Sequence, residues 1–164
     1  MMVEKRVRGV FLRNLWYCEL PCCTVGICEE DGAITRVFFK GITEVSGYEL
    51  AETALIRKTE EQLREYFAGV RQEFDLPLAP RGTAFQQACW AALRSIPYGE
   101  TRSYGEIAAQ VGNAKASRAV GMANNRNPIA IIVPCHRVIG STGKLVGYAG
   151  GLDVKQALLE LEGR

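Results

Sequence analysis

Cys135 and His136 stand side by side in the run Ile129-Ala130-Ile131-Ile132-Val133-Pro134-Cys135-His136-Arg137, and His136 is the chain's single histidine. A free thiol ionises near ~8.5, so only a few per cent is thiolate at neutral pH. A base within reach corrects that and makes a soft nucleophile. Adjacent side chains often diverge, so a bridging water would have to close the gap between imidazole and sulfur. A bare Cys-His pair also fits a buried cysteine beside a surface histidine. Its setting argues for chemistry: an apolar run ends in proline, Gly140, Gly143, Gly147, Gly150 and Gly151 follow, and a basic stretch adjoins.

The other cysteines offer less. Cys18, Cys22, Cys23 and Cys28 crowd together, but two are adjacent, paired CxxC spacing is absent, and the histidines of a mixed site are missing. Small buried thiols on strands are expected, and no metal. A disulfide framework is not the default without a secretion signal, although a pairing within this group would suit a hyperthermophilic source. Cys89 falls mid-helix and reads as a core residue, as do Trp16, Trp90 and Phe85.

The net charge of +2 averages two unlike halves. Residues 1–82 carry eleven Lys and Arg against thirteen Asp and Glu, and residues 83–164 carry nine against five. Between Arg102 and Lys144 the basic residues are Arg102, Lys115, Arg118, Arg126, Arg137 and Lys144 against Glu106 alone. Such an excess suits a polyanion or a solvated basic face. The longest stretch without a charged residue, Gly82 to Leu93, has twelve residues, too few for a membrane span. Arg13 interrupts the apolar run after Lys5, Arg6 and Arg8, so a secretory signal is not expected.

Elements must hold the pair in place. Residues 24–28 and 34–39 read as strands around the acidic turn Glu29-Glu30-Asp31-Gly32. Helical spacing runs from Tyr48 to Ala68, with Leu50, Ala54, Leu63 and Phe67 on the apolar stripe and Gly69 as the stop. The segment 76–82, rich in proline and aperiodic, reads as a linker between domains 1–75 and 83–164. Thr83 with Gln86 and Ser103 with Glu106 are capping boxes for helices reaching about Arg94 and Val111. A further helix is predicted over 114–125, ended by Asn127-Pro128. Two short helices around Gly112-Asn113 fit a helix-turn-helix, or any αα-hairpin. The second carries Lys115, Arg118 and Arg126 among Ala114, Ala116, Ser117, Ala119, Gly121 and Ala123, small residues that would let it approach a groove. Asp153 is expected to cap the last helix.

These stretches together resemble the O6-alkylguanine-DNA alkyltransferases. The resemblance rests on Ile96-Pro97-Tyr98-Gly99-Glu100-Thr101-Arg102-Ser103-Tyr104, Ser117-Arg118-Ala119-Val120-Gly121, Asn127-Pro128, Val133-Pro134-Cys135-His136-Arg137-Val138-Ile139, Gly147-Tyr148-Ala149-Gly150-Gly151 and Leu158 to Gly163. It covers essentially all of residues 83–164, with Pro-Cys-His-Arg its most specific part. Residues 1–82 match only in layout. The resemblance implies an α/β chain of α+β type: a small ribonuclease-H-like N-terminal domain of strands and helix, then a winged-helix-like, mainly helical C-terminal domain.

It also implies roles. Cys135 is the alkyl acceptor, His136 the base acting through water, and Glu162 the carboxylate that orients the imidazole. Tyr104 serves the leaving guanine and crowds the 3′ phosphate. Asn127 ties the recognition helix to the active-site turn. Arg118 fills the stack when the base flips out, and Ala116, Ser117, Ala119 and Gly121 allow a minor-groove approach. Asn124, Val138, Tyr148 and Ala149 line the alkylguanine pocket. The implied partner is double-stranded DNA containing O6-alkylguanine, met by a cytoplasmic monomer (nuclear if the source is eukaryotic), with no cofactor, membrane or obligate protein partner. Two departures stand out: Ala149 replaces a serine of some relatives, and Gly147 replaces a larger residue, which would open the pocket to bulkier groups. A non-catalytic lesion sensor would lack Cys135, and a cysteine hydrolase would not need the basic helix pair.

Overall fold

The computed structural model describes residues 12–163. Lys5, Arg6 and Arg8, on which the signal-peptide expectation turned, lie outside the described residues. The chain opens with β1 (Arg13–Leu20), β2 (Cys23–Glu30) and β3 (Ala33–Phe39), an antiparallel meander. The β2–β3 turn is narrower than expected. Asp31 and Gly32 alone form it, both at positive φ (51° and 77°), the geometry that lets a two-residue turn match strand twist. Glu29 and Glu30 belong to β2 and are buried. Glu30 is tolerated there because Arg13 (2.7 Å), Arg81 (3.1 Å), Thr35 (2.8 Å) and the Tyr48 hydroxyl (3.2 Å) surround it.

The helix expected from Tyr48 begins six residues later. Glu49–Leu50 instead forms β4, parallel to β1, giving the sheet order β3-β2-β1-β4. Thr53 caps α1 (Ala54–Phe67) by accepting from the Ile56 amide at 3.1 Å. The buried stripe is Ile56, Thr59, Glu60, Leu63 and Tyr66, so Leu50 and Ala54 face solvent and Phe67 is half-buried. Strand pairing of the two residues after Tyr48 outcompetes the helical period.

Segment 76–82 lies along the outer edge of β3. The Ile34 amide donates to Pro77 O (2.8 Å) and the Ala79 amide to Ile34 O (2.9 Å). Further along the same edge, the Val37 amide donates to Pro128 O and the Ala130 amide to Val37 O, each at 2.9 Å. An edge strand that would otherwise present open backbone groups is thereby covered, and the C-terminal half is fixed to the sheet.

In that half, both capping boxes form. They start α2 (Ala84–Arg94) and α3 (Tyr104–Gln110). Gly112, at φ 90°, turns the chain toward α4 (Ser117–Asn125). Residues 114–116 were expected in that helix but precede it in a turn, because the Asn113 side chain takes the Lys115 amide at 3.2 Å. The short strand β5 (Arg102–Ser103) runs parallel to β6 (Val138–Ile139), and α5 (Leu152–Leu161) closes the chain. Asp153 sits in the first turn of α5, whose cap position is Gly151, at φ 92°. One continuous core spans both halves, joining Ile27, Ile34, Leu63 and Tyr66 to Trp90, Leu93, Val120 and Leu158. Burial of each large aliphatic side chain in it contributes roughly 1.5–3 kcal/mol. Trp90 is in this core and Trp16 packs against it, but Phe85, in the first turn of α2, is left 36% exposed.

Candidate active site

The apolar run 129–133 is buried but not a strand. Ile131 has φ 70°, and the Ile132 amide bonds back to Ala130 O at 2.8 Å, a tight turn of the strained kind. Pro134 (φ −83°, ψ 64°) makes the relaxed mirror turn, with the Cys135 amide donating to Val133 O at 2.8 Å. The chain then enters a single turn of 3₁₀-helix, Cys135–Arg137. A β-branched residue at positive φ is costly, and neighbours must enforce it.

Asn127 is one such neighbour. Its Nδ2 donates to Val133 O (2.8 Å) and to Cys135 Sγ (3.2 Å), and its Oδ1 accepts from the Ile129 amide (3.0 Å). The side chain just beyond α4 therefore spans the strained turn and touches the sulfur. Cys135 is only 8% exposed. Burial pushes its thiol up, against the Asn127 donor and the nearby Lys155 charge, which pull it down. The expected ready-made thiolate is thus a thiol at rest.

His136 is fully buried, and its Nε2 lies 2.7 Å from Glu162 Oε2. Burial raises the Glu162 carboxyl, but hydrogen bonds from His136, Arg137 and Tyr66 outweigh it and hold the group at about 2. An ionised carboxylate only accepts, so the imidazole carries its proton on Nε2 and keeps a lone pair on Nδ1. That Nδ1 is buried and has no hydrogen-bond partner among the described residues. Burial also holds the imidazole below its ordinary value, so it is neutral at rest.

Several participants were not anticipated. Arg137 was counted in the basic stretch, yet it is 7% exposed and donates to Glu162 through Nε (2.8 Å) and Nη2 (3.2 Å). Tyr66, from α1, donates its hydroxyl to Glu162, and the Gly99 amide donates to Oε1 at 3.2 Å. Gly99 holds φ 79°, and a Cβ there would lie 3.1 Å from the Glu162 carbonyl oxygen. Lys155 is wholly buried and donates to Val138 O (2.6 Å), Val146 O (3.0 Å) and Gly147 O (3.4 Å). One signal was available: Lys155 shares the apolar face of α5 with Leu158 and Leu159.

The predicted DNA-facing residues gather elsewhere. Tyr104, Ser117, Arg118 and Gly121 line an open groove of about 280 Å³ with Asn125, Val146 and Gly147. Arg118 is exposed and makes no ion pair among the described residues. Ala119 is exposed and Ala116 half-buried. The Tyr104 hydroxyl donates to Val146 O at 3.0 Å, so at rest it is engaged with the loop rather than free. The β5–β6 pairing sets this first residue of α3 near Val138. Val138 and Asn124 are buried, and the Tyr148 ring packs edge-on against Phe39 at 5.7 Å. Ala149 is not with Tyr104. It is exposed and lines a separate cavity of about 340 Å³ with Phe39, Asn127 and Ala130. At Gly147 the φ of 47° is what asks for glycine, since a Cβ would meet only Asn125 Oδ1 at 3.7 Å.

Residues 84–164 match the family described as 6-O-methylguanine DNA methyltransferase, DNA binding domain. A Methanosarcina acetivorans protein named methylated-DNA–protein-cysteine methyltransferase is 58% identical over 137 residues, 82% of this chain and 88% of that protein. The chain belongs to the methylated-DNA–protein-cysteine methyltransferase family. A Mycobacterium bovis methyltransferase of the same name is 68% identical over 102 residues, 62% of each chain. Among solved structures, the Mycobacterium tuberculosis O6-methylguanine methyltransferase superposes with TM-score 0.86 at 46% identity, covering 92% of this chain and 93% of that one. M. tuberculosis OGT in complex with DNA gives TM-score 0.87 at 48% identity, covering 91% and 92%. The mixed α/β architecture of this methyltransferase is therefore that of its relatives over both halves. No helix among its described residues is long and apolar enough to cross a membrane.

Proposed function

We propose that this chain repairs O6-alkylguanine in double-stranded DNA by moving the alkyl group, once and irreversibly, to Cys135. The observation that carries the proposal is the pair of contacts Asn127–Cys135 and His136–Glu162, which makes the buried Cys135–His136 step part of one polar chain, together with the exposed Arg118 on α4. A relative solved in complex with DNA and relatives named methylated-DNA–protein-cysteine methyltransferase support it.

The α4 helix enters the minor groove, with Ala116, Ser117, Ala119 and Gly121 allowing close approach. Inside a duplex the line of attack on the alkyl carbon is blocked, so the nucleotide leaves the stack at a cost of a few kcal/mol. Arg118 fills the gap, and phosphate contacts offset the remainder. His136 Nδ1 takes the thiol proton through a water. Glu162 stabilises the imidazolium, and Asn127 steadies the charge on Sγ. The sulfur–carbon bond forms as the carbon–O6 bond breaks. Guanine keeps the electron pair and receives the proton, with the Tyr104 hydroxyl exchanging Val146 O for the departing base. Asn124, Val138 and Tyr148 border the base and its substituent, and Ala149, which lines a separate cavity, does not. The product is a thioether that water does not cleave, so each molecule acts once, without a cofactor.

On this reading residues 1–75 form a ribonuclease-H-like domain and 83–164 a winged-helix-like one, joined by 76–82. The protein works as a monomer in the cytoplasm, or in the nucleus of a eukaryote. The test is mass spectrometry after incubation with a duplex bearing O6-methylguanine. The peptide holding Cys135 gains one methyl group per molecule, and Cys135→Ala gains none while still binding DNA. Repeated turnover, or an unmodified Cys135, refutes the reading.

A further inference from the structure

Arg36 on β3 and Arg126, the residue after α4, line one cavity of about 340 Å³. The seam between the two halves brings them there. The Val37 amide donates to Pro128 O and the Ala130 amide to Val37 O, each at 2.9 Å, which fixes β3 against the chain just beyond Arg126. Val37 belongs to the core, and strand alternation turns its neighbour Arg36 to the opposite face, where it is half-buried. Arg126 is exposed. Neither arginine forms an ion pair among the described residues, and no carboxylate lines the cavity. Two guanidinium groups in one recess repel each other and lack the acceptors that their planar forks are shaped to meet. An anion there removes the repulsion, and phosphate oxygens match the fork bidentately.

The recess is not isolated. Asn125 lines both it and the groove of Tyr104 and Arg118, while Arg36 and Pro128 line both it and a third cavity of about 240 Å³. Shared walls thus join the three into one track, from the exposed face of α4 across the edge of β3. The cations along it are Arg118, Arg126, Arg36, Arg81 and Arg13. The one carboxylate among the described residues that line it is Glu30, already held by Arg13 at 2.7 Å and Arg81 at 3.1 Å. The N-terminal half carries more acid than base, yet what it sets on this track is an excess of arginine. A row of cations with so little to balance it matches a row of phosphates.

Building on the repair reading above, we infer that the DNA backbone leaving the α4 groove continues over the sheet edge, where Arg126 and Arg36 hold its phosphates. The N-terminal half is then part of the DNA-binding surface and not only a support for the site. The occupant is a phosphodiester strand of the same lesion-bearing duplex. Charge and continuity with the groove favour it, since a free anion would need only one recess of the three.

The experiment measures binding of the full chain, carrying Cys135→Ala so that transfer does not intervene, to duplexes with one O6-methylguanine. Flanks are about four base pairs on each side, or extended to about twelve on the 5′ or the 3′ side alone. Extension on one side raises affinity and steepens the slope of log affinity against log salt by about 0.9 per added phosphate contact. Arg36→Ala and Arg126→Ala each remove about 0.9 of the added slope and about fivefold or more of the added affinity. Arg36→Lys keeps the charge and retains the slope. Equal binding to short and extended duplexes overturns the inference, as does an added slope that neither alanine variant lowers. A gain that arrives only with two chains on each extended duplex, read by sedimentation, gives the track to a second copy and overturns it too. If Arg36→Ala does not fold, Arg126→Ala still decides. Methyl transfer by the wild-type chain on the short duplex separates the two readings. Its absence overturns the repair reading and this inference with it, whereas transfer without flank dependence overturns this inference alone.

Discussion

Tyr66 on α1 donates its hydroxyl to Glu162, 96 residues further along the chain, and so joins the N-terminal region to the carboxylate that holds His136. Tyr66→Phe removes only that donor. A buried hydrogen bond to a charged group contributes about 1.5–3 kcal/mol, so denaturant unfolding should show a loss of that size. Glu162 loses one of the bonds that hold it near 2, so the acid-unfolding midpoint moves to higher pH. An unmoved acid midpoint would show that Tyr66 does not hold this carboxylate.

Asn127 is a second joint, between α4 and the sulfur. Asn127→Ala strands the Ile129 amide, leaves the Val133 carbonyl with the Cys135 amide as its one remaining donor, and withdraws a donor from Sγ. The stranded buried amide costs about 1–3 kcal/mol. The thiol should also rise further, and each unit of that rise lowers the thiolate fraction about tenfold at neutral pH. The rate-against-pH curve for alkyl transfer should therefore shift toward alkaline pH. A variant that loses stability but keeps the wild-type pH curve would limit Asn127 to a structural role.

The local half of this architecture could be read from residue types. Both capping boxes and the Asp31-Gly32 turn depend on neighbours in sequence and stand where propensity puts them, although β2 runs on through Glu29 and Glu30. The long-range half could not. Tyr66 looks like any core tyrosine until the fold sets it against Glu162, and Arg137 looks like a surface cation until the same carboxylate draws it inside. Leu50 shows the opposite failure. It fits a helical stripe, but pairing with β1 takes it into a strand and leaves it 62% exposed. Ile131 gives no warning at all, since positive φ at a β-branched residue contradicts its propensity and is imposed by packing.

Acid should destabilise the protein in two steps of the same sign. Burial holds His136 below its ordinary 6.5, so the unfolded chain binds that proton first, and stability declines as pH falls below 6.5. Glu162 is held at about 2 against an ordinary 4.5. Its contribution, on the order of 3 kcal/mol, is complete above the ordinary value and is lost as pH falls toward the folded one. Urea midpoints measured across this range check both steps. Glu162→Gln should abolish the lower step, and persistence of that step would assign it to another carboxylate.

Arg118 separates flipping from binding. The side chain is exposed on α4 and makes no ion pair among the described residues, so its removal should cost the fold less than about 0.5 kcal/mol. If it enters the base stack, Arg118→Ala slows single-turnover transfer about tenfold or more while duplex affinity falls only slightly. The salt dependence gives an independent readout. Each phosphate contact adds about 0.9 to the slope of log affinity against log salt. A stacking Arg118 leaves that slope unchanged in the variant, whereas a phosphate-bound Arg118 lowers it by about that amount, with transfer and affinity falling together. The second pattern would remove Arg118 from the flipping step and make it one cation among those that hold the backbone.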